Sequence, residues 1–283
     1  MTVLRAALVQ LRTPAGQAEA LTQAEPLIRE AAAQGATLIA TPEASNILQR
    51  DRKALFAAVR PAEEDEAVQG LIGLAKALKV WLLIGSALVK RPDGQLANRS
   101  MLVGPDGGTV ATYDKIHMFD VDLPTGERHR ESALYTPGEA AVVAETPWGK
   151  IGLSVCYDIR FPHLYRALAQ AGAQVITVPA AFTRPTGEAH WEVLLRARAI
   201  ETGAFVLAPA QGGVHQDGRG TWGRSTVVNP WGEVIAKLDH DEPGVLIADL
   251  DLEEVAKARA AIPALANDRT FTPPLITQFS GAS

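Results

Sequence analysis

Along this chain, short apolar runs alternate with stretches in which apolar positions recur every three or four residues. The first pattern predicts strands buried on both faces and the second amphipathic helices, so the alternation predicts an α/β protein. Strands are expected over 4–9, 37–40, 80–84, 101–103, 151–155, 174–178, 205–208, 226–228 and 245–248. Helices are expected over 17–34, 66–78, 162–171, 191–202 and 252–260.

The order of elements repeats. Gly35-Ala36-Thr37-Leu38-Ile39-Ala40-Thr41-Pro42-Glu43-Ala44 parallels Gly172-Ala173-Gln174-Val175-Ile176-Thr177-Val178-Pro179-Ala180-Ala181. The segment 100–110 likewise parallels 225–234, each reading as a hairpin turned by Pro and Gly. Each half therefore reads β-α-β-α-β-hairpin. The expected architecture is a four-layer αββα sandwich, two pseudo-symmetric halves packed sheet to sheet with helices outside. The segment 121–137 is the longest without apolar periodicity, and long loops in compact domains are often functional. The expected division is one domain over 1–268 and a C-terminal tail over 269–283.

Composition narrows the function classes. Twenty-seven basic residues against 32 acidic ones give a net charge of −5, with no basic excess to hold a phosphate backbone. No apolar run approaches the ~18–20 residues of a membrane span. Arg5 interrupts the apolar start, which reads as a first strand rather than a signal peptide. A single cysteine forms no internal disulfide and fits a cytoplasmic protein.

Departures from the repeat locate candidate chemistry. Glu43 stands where the second half has Ala180, and Cys156 stands where the first half has Gln10. Both lie just beyond the C-terminal end of a buried strand, where α/β sheets place their ligand sites. Cys156 ends an apolar strand and enters Tyr157-Asp158-Ile159-Arg160-Phe161-Pro162. A strand-to-helix elbow there would leave backbone N–H groups free for a thiolate or a developing oxyanion. A carboxylate at Glu43 would be partly desolvated and would need a cationic partner. Lys115, closing the first hairpin in Tyr113-Asp114-Lys115-Ile116-His117, is a candidate for that role. The histidines His117, His129, His163, His190, His215 and His240 leave a Cys–His hydrolase open as the competing reading, although no one of them is singled out. Glu188-Ala189-His190-Trp191-Glu192 lacks the second His of a zinc signature, and Gly218-Arg219-Gly220 reads as a turn.

Thr-Pro-Glu-Ala around Glu43, Tyr-Asp-Lys-Ile-His around Lys115 and Val-Cys-Tyr-Asp-Ile-Arg-Phe-Pro around Cys156 resemble the nitrilase or carbon–nitrogen hydrolase superfamily. Leu194-Leu195-Arg196-Ala197-Arg198-Ala199-Ile200-Glu201 and Val228-Asn229-Pro230-Trp231-Gly232 resemble the branch of deaminated glutathione amidase and omega-amidase. The resemblance implies the αββα sandwich, a homodimer, a tail that covers a partner subunit, and a second glutamate at Glu131.

The same resemblance implies an amidase hydrolysing a small ω-amide to a carboxylate plus ammonia through a Cys156 thioester. Glu43 would be the base, Lys115 and the backbone N–H of Tyr157 would hold the oxyanion, and Glu131 would orient its neighbours. The first expected substrate is deaminated glutathione, then α-ketoglutaramate, then a nitrile; a non-catalytic binding protein of the same fold is the different-class alternative. Arg128, Arg184 and His190 are the expected substrate-binding side chains. No metal or organic cofactor is expected.

Overall fold

The computed structural model describes residues 3–123 and 126–274. The first half runs β1 (Val3–Gln10), α1 (Gln17–Ala33), β2 (Leu38–Ala40), α2 (Arg52–Ala58), α3 (Glu66–Leu78), β3 (Trp81–Lys90), β4 (Leu96–Val103) and β5 (Thr109–Asp114). A connecting segment holds β6 (Asp120–Asp122), β7 (Arg128–Arg130), a 3-10 turn at Glu131–Ala133, and β8 (Val142–Thr146). The second half runs β9 (Gly149–Leu153), α4 (Pro162–Gln170), β10 (Val175–Thr177), α5 (Arg184–Thr202) and β11 (Phe205–Ala208). It ends with β12 (Gly212–Val214), β13 (Gly220–Trp222), β14 (Thr226–Val228), β15 (Val234–Lys237), β16 (Gly244–Asp251) and α6 (Glu253–Ala261).

Two six-stranded sheets result, ordered β16-β1-β2-β3-β4-β5 and β8-β9-β10-β11-β14-β15. In each, three parallel strands are followed by an antiparallel hairpin and flanked by one antiparallel edge strand. The edge strands are exchanged. β8, following the first half, pairs with β9 of the second, and β16, closing the second half, pairs with β1 of the first. Each sheet thereby contains a strand from the other half of the chain.

Side-chain alternation sets the layers. On β1, Leu4, Ala6 and Leu8 enter a core shared with Leu153, Val155 and Val175 of the other sheet. Ala7 and Val9 point the opposite way, onto Ile28 of α1 and Leu71 of α3. Gly85 marks a close approach between the halves: a Cβ there would stand 2.5 Å from Pro179 Cβ. The αββα expectation describes this fold.

Several element boundaries differ from expectation. α5 begins at Arg184, not near 191, because Thr183 caps it in extended geometry and Pro185 suits a first turn. His190 therefore sits inside the helix rather than at its start. β12 and β13 form a hairpin where the sequence predicts only turns, and α2, capped by Asp51, has no counterpart among the predicted helices. Residues 269–274 of the expected tail are exposed, and 275–283 lie outside the described residues. Among the described residues, no helix is long and apolar enough to cross a membrane.

Candidate active site

Three strand ends converge. Glu43 follows β2, Lys115 follows β5, and Cys156 follows β9 by way of Ser154 and Val155. Cys156 has φ +51, a left-handed backbone that costs an L-residue about 1–2 kcal/mol. Its N–H donates to Pro179 O at 2.9 Å, and Arg198 Nε from α5 donates to Ile159 O at 2.7 Å, holding the 3-10 turn at Cys156–Arg160. The Tyr157 N–H has no protein acceptor among the described residues.

Lys115 is almost sealed from solvent. Its Nζ donates to Glu43 Oε1 at 3.1 Å and to both Glu131 oxygens at 3.0 and 2.8 Å. Burial acts to lower the lysine's proton affinity, but the Glu131 and Glu43 charges more than reverse this, so it lies well above the ordinary value. Glu43 is also buried, which by itself raises a carboxyl pKa. The Lys115 charge, with hydrogen bonds from Cys156 and Asn98, outweighs that and lowers it. Glu43 Oε2 further accepts the Ala181 N–H at 2.8 Å. For Cys156, burial and then the Glu43 charge push the thiol well above its usual range, with Lys115 opposing. The resting arrangement is therefore a Cys156 thiol, a Glu43 carboxylate and a Lys115 ammonium, with Glu131 on the far side of the lysine.

Asn98 on β4 escapes the sequence reading. Its Nδ2 donates to Glu43 Oε1 at 2.9 Å and to Glu131 Oε1 at 3.3 Å, joining the two acids. The available signal is a lone amide in the apolar strand Leu-Ala-Asn-Arg-Ser-Met-Leu-Val. Asp158 escapes it too: it accepts from Val155 N, His117 N and Tyr113 OH, so the Cys156 and Lys115 segments share one buried carboxylate.

These groups line one cavity of about 590 Å³. Glu43, Lys115, Glu131, Cys156 and Tyr157 meet there, as does Arg128. The other two expected substrate-binding side chains do not line it. Arg184 is exposed and pairs with Asp241 at 2.7 Å, and exposed His190 places Nδ1 3.2 Å from Arg160 Nη2. His190 reaches the cavity only through Arg160. The charged groups that act on the thiol are the Glu43 carboxylate and the Lys115 ammonium, and no imidazole is among them. His117, the histidine nearest Lys115 in sequence, is held by Asp158 at 2.7 Å and stacked on Phe161.

A four-layer αββα sandwich with an acid, a lysine and a thiol at its strand ends defines the nitrilase superfamily architecture. The profile of the carbon–nitrogen hydrolase family matches residues 5–260, and the chain belongs to that family. Human omega-amidase NIT2 is 37% identical over 270 residues, 95% of this chain and 96% of the relative. Deaminated glutathione amidase of Synechocystis sp. (strain ATCC 27184 / PCC 6803 / Kazusa) is 39% identical over 264 residues, 92% of this chain and 96% of the relative. Among solved structures, the C. elegans NitFhit protein aligns with a TM-score of 0.88 at 32% identity, over 94% of this chain; this chain spans 65% of its length. An amidase from Nesterenkonia sp. AN1, in a mutant with acrylamide added at the active-site cysteine, aligns with a TM-score of 0.75 at 29% identity, over 92% of this chain and 98% of the other.

Proposed function

We propose that this chain is an amidase that acts on a small carboxylate-bearing ω-amide through a thioester at Cys156. The observation that carries the reading is the Lys115 ammonium held between Glu43 and Glu131, with the buried Cys156 thiol lining the same cavity under the influence of the Glu43 charge. Glu43 takes the thiol proton as sulfur attacks the amide carbon. Because the resting thiol is held protonated and the acid ionised, this transfer runs with attack and not before it. The oxyanion is received by Lys115 Nζ and the Tyr157 N–H; such a donor is typically worth about 3–4 kcal/mol in the transition state. Glu43 then passes its proton to the leaving nitrogen, and the amine departs. Water enters, Glu43 accepts its proton, and the second tetrahedral intermediate expels the sulfur, which regains the proton. Glu131 and Asn98 hold Lys115 and Glu43 in place.

Deaminated glutathione is the first substrate, with α-ketoglutaramate as the second reading. The identities to the two kinds of relative are similar, at 39% and 37%. A cavity of about 590 Å³ suits the larger molecule. The expectation of ammonia needs correction on chemical grounds: deaminated glutathione has a peptide amide, so its leaving amine is cysteinylglycine. Only the primary amide α-ketoglutaramate releases ammonia.

The reading is tested by quenching the enzyme with each substrate and measuring intact mass. An acyl adduct on Cys156, absent from Cys156→Ala, is expected; no adduct and no turnover across both amides would favour a binding protein of the same fold. We also propose one domain over 1–268, a tail that meets a partner subunit, a homodimer or larger homo-oligomer, and a cytoplasmic location. Exposed Val193 and Ile200 on α5 and exposed Trp231 support self-association, and the lone cysteine supports a reducing compartment. Sedimentation of the full chain tests the oligomeric state.

A further inference from the structure

The cavity carries several arginines, and they are not equivalent. Arg130 is forked onto Asp122 at 2.9 and 2.8 Å, and Arg52 Nη2 is spent on Ala133 O at 2.8 Å. Arg160 engages His190 and lies over the Tyr157 and Phe182 rings. Arg50 is exposed, and Arg128 is largely in solvent.

Arg219 differs from all of these. It sits in the turn between β12 and β13 and lines the cavity, yet its Nε is sealed from solvent and hydrogen-bonds to nothing. Its charged neighbour Asp217 pairs with it only loosely, at 3.5 Å from Nη2, and Asp217 Oδ2 is itself buried without a hydrogen bond. His129 on β7 lines the same cavity. Its Nε2 is likewise sealed and without a hydrogen-bond partner, Glu127 standing off at 3.6 Å. Two buried nitrogens are left open in one cavity, the Arg219 Nε donor and a His129 Nε2 that donates in one tautomer, which is costly in an isolated protein and is relieved when an acceptor binds.

The platform beneath Arg219 is fixed. His215 Nδ1 lies 3.0 Å from Thr13 O and its Nε2 lies 2.8 Å from Thr221 Oγ1, clamping the hairpin to the loop after β1. Gln211, at the foot of the hairpin, donates to Glu43 O at 2.9 Å. A group held by Arg219 is thereby placed in register with the Glu43 side of the site.

We propose that Arg219, with His129, forms the subsite for a carboxylate that the substrate carries away from its scissile amide. The assignment rests on the amidase reading and adds the residues that select an acidic substrate over a neutral one. Burial, reinforced by the Arg219 and Arg50 charges and opposed by Glu127, lowers the proton affinity of His129, and in the Nε2–H tautomer its ring donates beside the guanidinium. The guanidinium then carries the charge and the imidazole completes the geometry.

The test compares wild type, Arg219→Gln and Arg219→Lys on α-ketoglutaramate and on neutral butyramide, reading ammonia release. For Arg219→Gln, kcat/KM on α-ketoglutaramate is expected to fall roughly tenfold to a hundredfold, chiefly through KM, the loss of one charged hydrogen-bonding partner. Butyramide turnover is expected to stay within about twofold of wild type, and Arg219→Lys to recover part of the loss through charge. Equal loss on both amides would show that Arg219 only supports the hairpin, and an unchanged kcat/KM on α-ketoglutaramate would remove it from recognition; either overturns the subsite. A wild type that turns over neither amide, and releases no cysteinylglycine from deaminated glutathione, would instead sink the amidase reading on which the subsite rests.

Discussion

The Tyr113 hydroxyl donates to Asp158 Oδ2 at 2.7 Å, tying the strand that ends beside Lys115 to the turn that begins at Cys156. The same hydroxyl accepts the Ile116 N–H at 3.3 Å, one residue beyond the lysine. Tyr113→Phe would leave the buried Asp158 carboxylate short of one donor and the Lys115 segment less well held. The expected cost is about 1–3 kcal/mol of stability, read from urea unfolding, with a fall in kcat larger than any rise in KM. Wild-type stability in the phenylalanine variant would show that the hydroxyl holds nothing.

The left-handed backbone at Cys156 can be tested apart from its sulfur. Both Cys156→Ala and Cys156→Gly remove the proposed nucleophile and should lack turnover. Only glycine adopts φ +51 without a Cβ clash. The Gly variant should therefore be more stable than the Ala variant by about 1 kcal/mol, less whatever glycine loses through its freer unfolded chain. An Ala variant clearly more stable than the Gly variant would show that the elbow is unstrained.

Gly85 fixes how closely the halves meet. A Cβ there would collide with the Thr41 carbonyl oxygen and with Pro179 Cβ, and the first of these atoms is backbone. Gly85→Ala should cost about 1–3 kcal/mol or more by overpacking, measured by thermal or urea unfolding. Because Thr41 and Pro42 lead directly to Glu43, activity should fall in the protein that remains folded.

Much of this is legible in the sequence, for a physical reason. The repeat 35–44 against 172–181 is apolar, periodic and punctuated by Pro, so strand identity and layer order follow from local pattern. Glu43 and Cys156 are visible as polar interruptions of that repeat. Asn98 is harder to see: its role depends on facing Glu43 and Glu131, both distant in sequence. Arg219 looks like turn punctuation because flanking glycines describe the backbone and say nothing of where a long side chain lies. Arg184 and His190 stand near the right helix, but α5 starts about two turns earlier than its apolar periodicity suggests, and both side chains are exposed. The edge-strand exchange of β8 and β16 is likewise a tertiary choice, with no local signature.

Asn98 should influence the pH dependence of turnover. In the proposed mechanism Glu43 is a base only when ionised, so activity should fall as pH drops through its folded-state pKa. That value lies below 4.5 because Lys115, Cys156 and Asn98 together outweigh burial. Asn98→Ala removes one of the lowering contributions, and the acid limb of kcat/KM against pH should move upward. The alkaline limb should move little, since Asn98 does not touch the thiol's proton. An acid limb that stays in place would mean that the amide positions the carboxylates without tuning them.

Removing the lysine charge should have the largest effect. In Lys115→Met, Glu43 and Glu131 remain buried on a shared site with no cation between them, and like charges so placed cannot both stay ionised. Breaking a buried pair typically costs about 3–5 kcal/mol, and turnover should disappear with the oxyanion partner. The sign of the pH effect separates this from simple cavity strain. In wild type, Glu43 has a lowered folded pKa, so its contribution is present above the unfolded value of 4.5 and is lost as pH falls through the folded pKa. Without Lys115, burial and mutual repulsion outweigh the remaining hydrogen bonds from Asn98, Ala181 and Phe119, and the folded pKa of at least one acid should rise above its unfolded value. Stability of the variant should then improve as pH falls from neutral toward the carboxylate range, where the wild-type Glu43 contribution is still fully present and constant. Glu131→Gln added to Lys115→Met should recover part of the neutral-pH loss, and urea unfolding at several pH values reads both effects. A variant whose stability loss is the same at every pH, with no recovery from the added glutamine, would mean that the two carboxylates are not electrostatically coupled through Lys115.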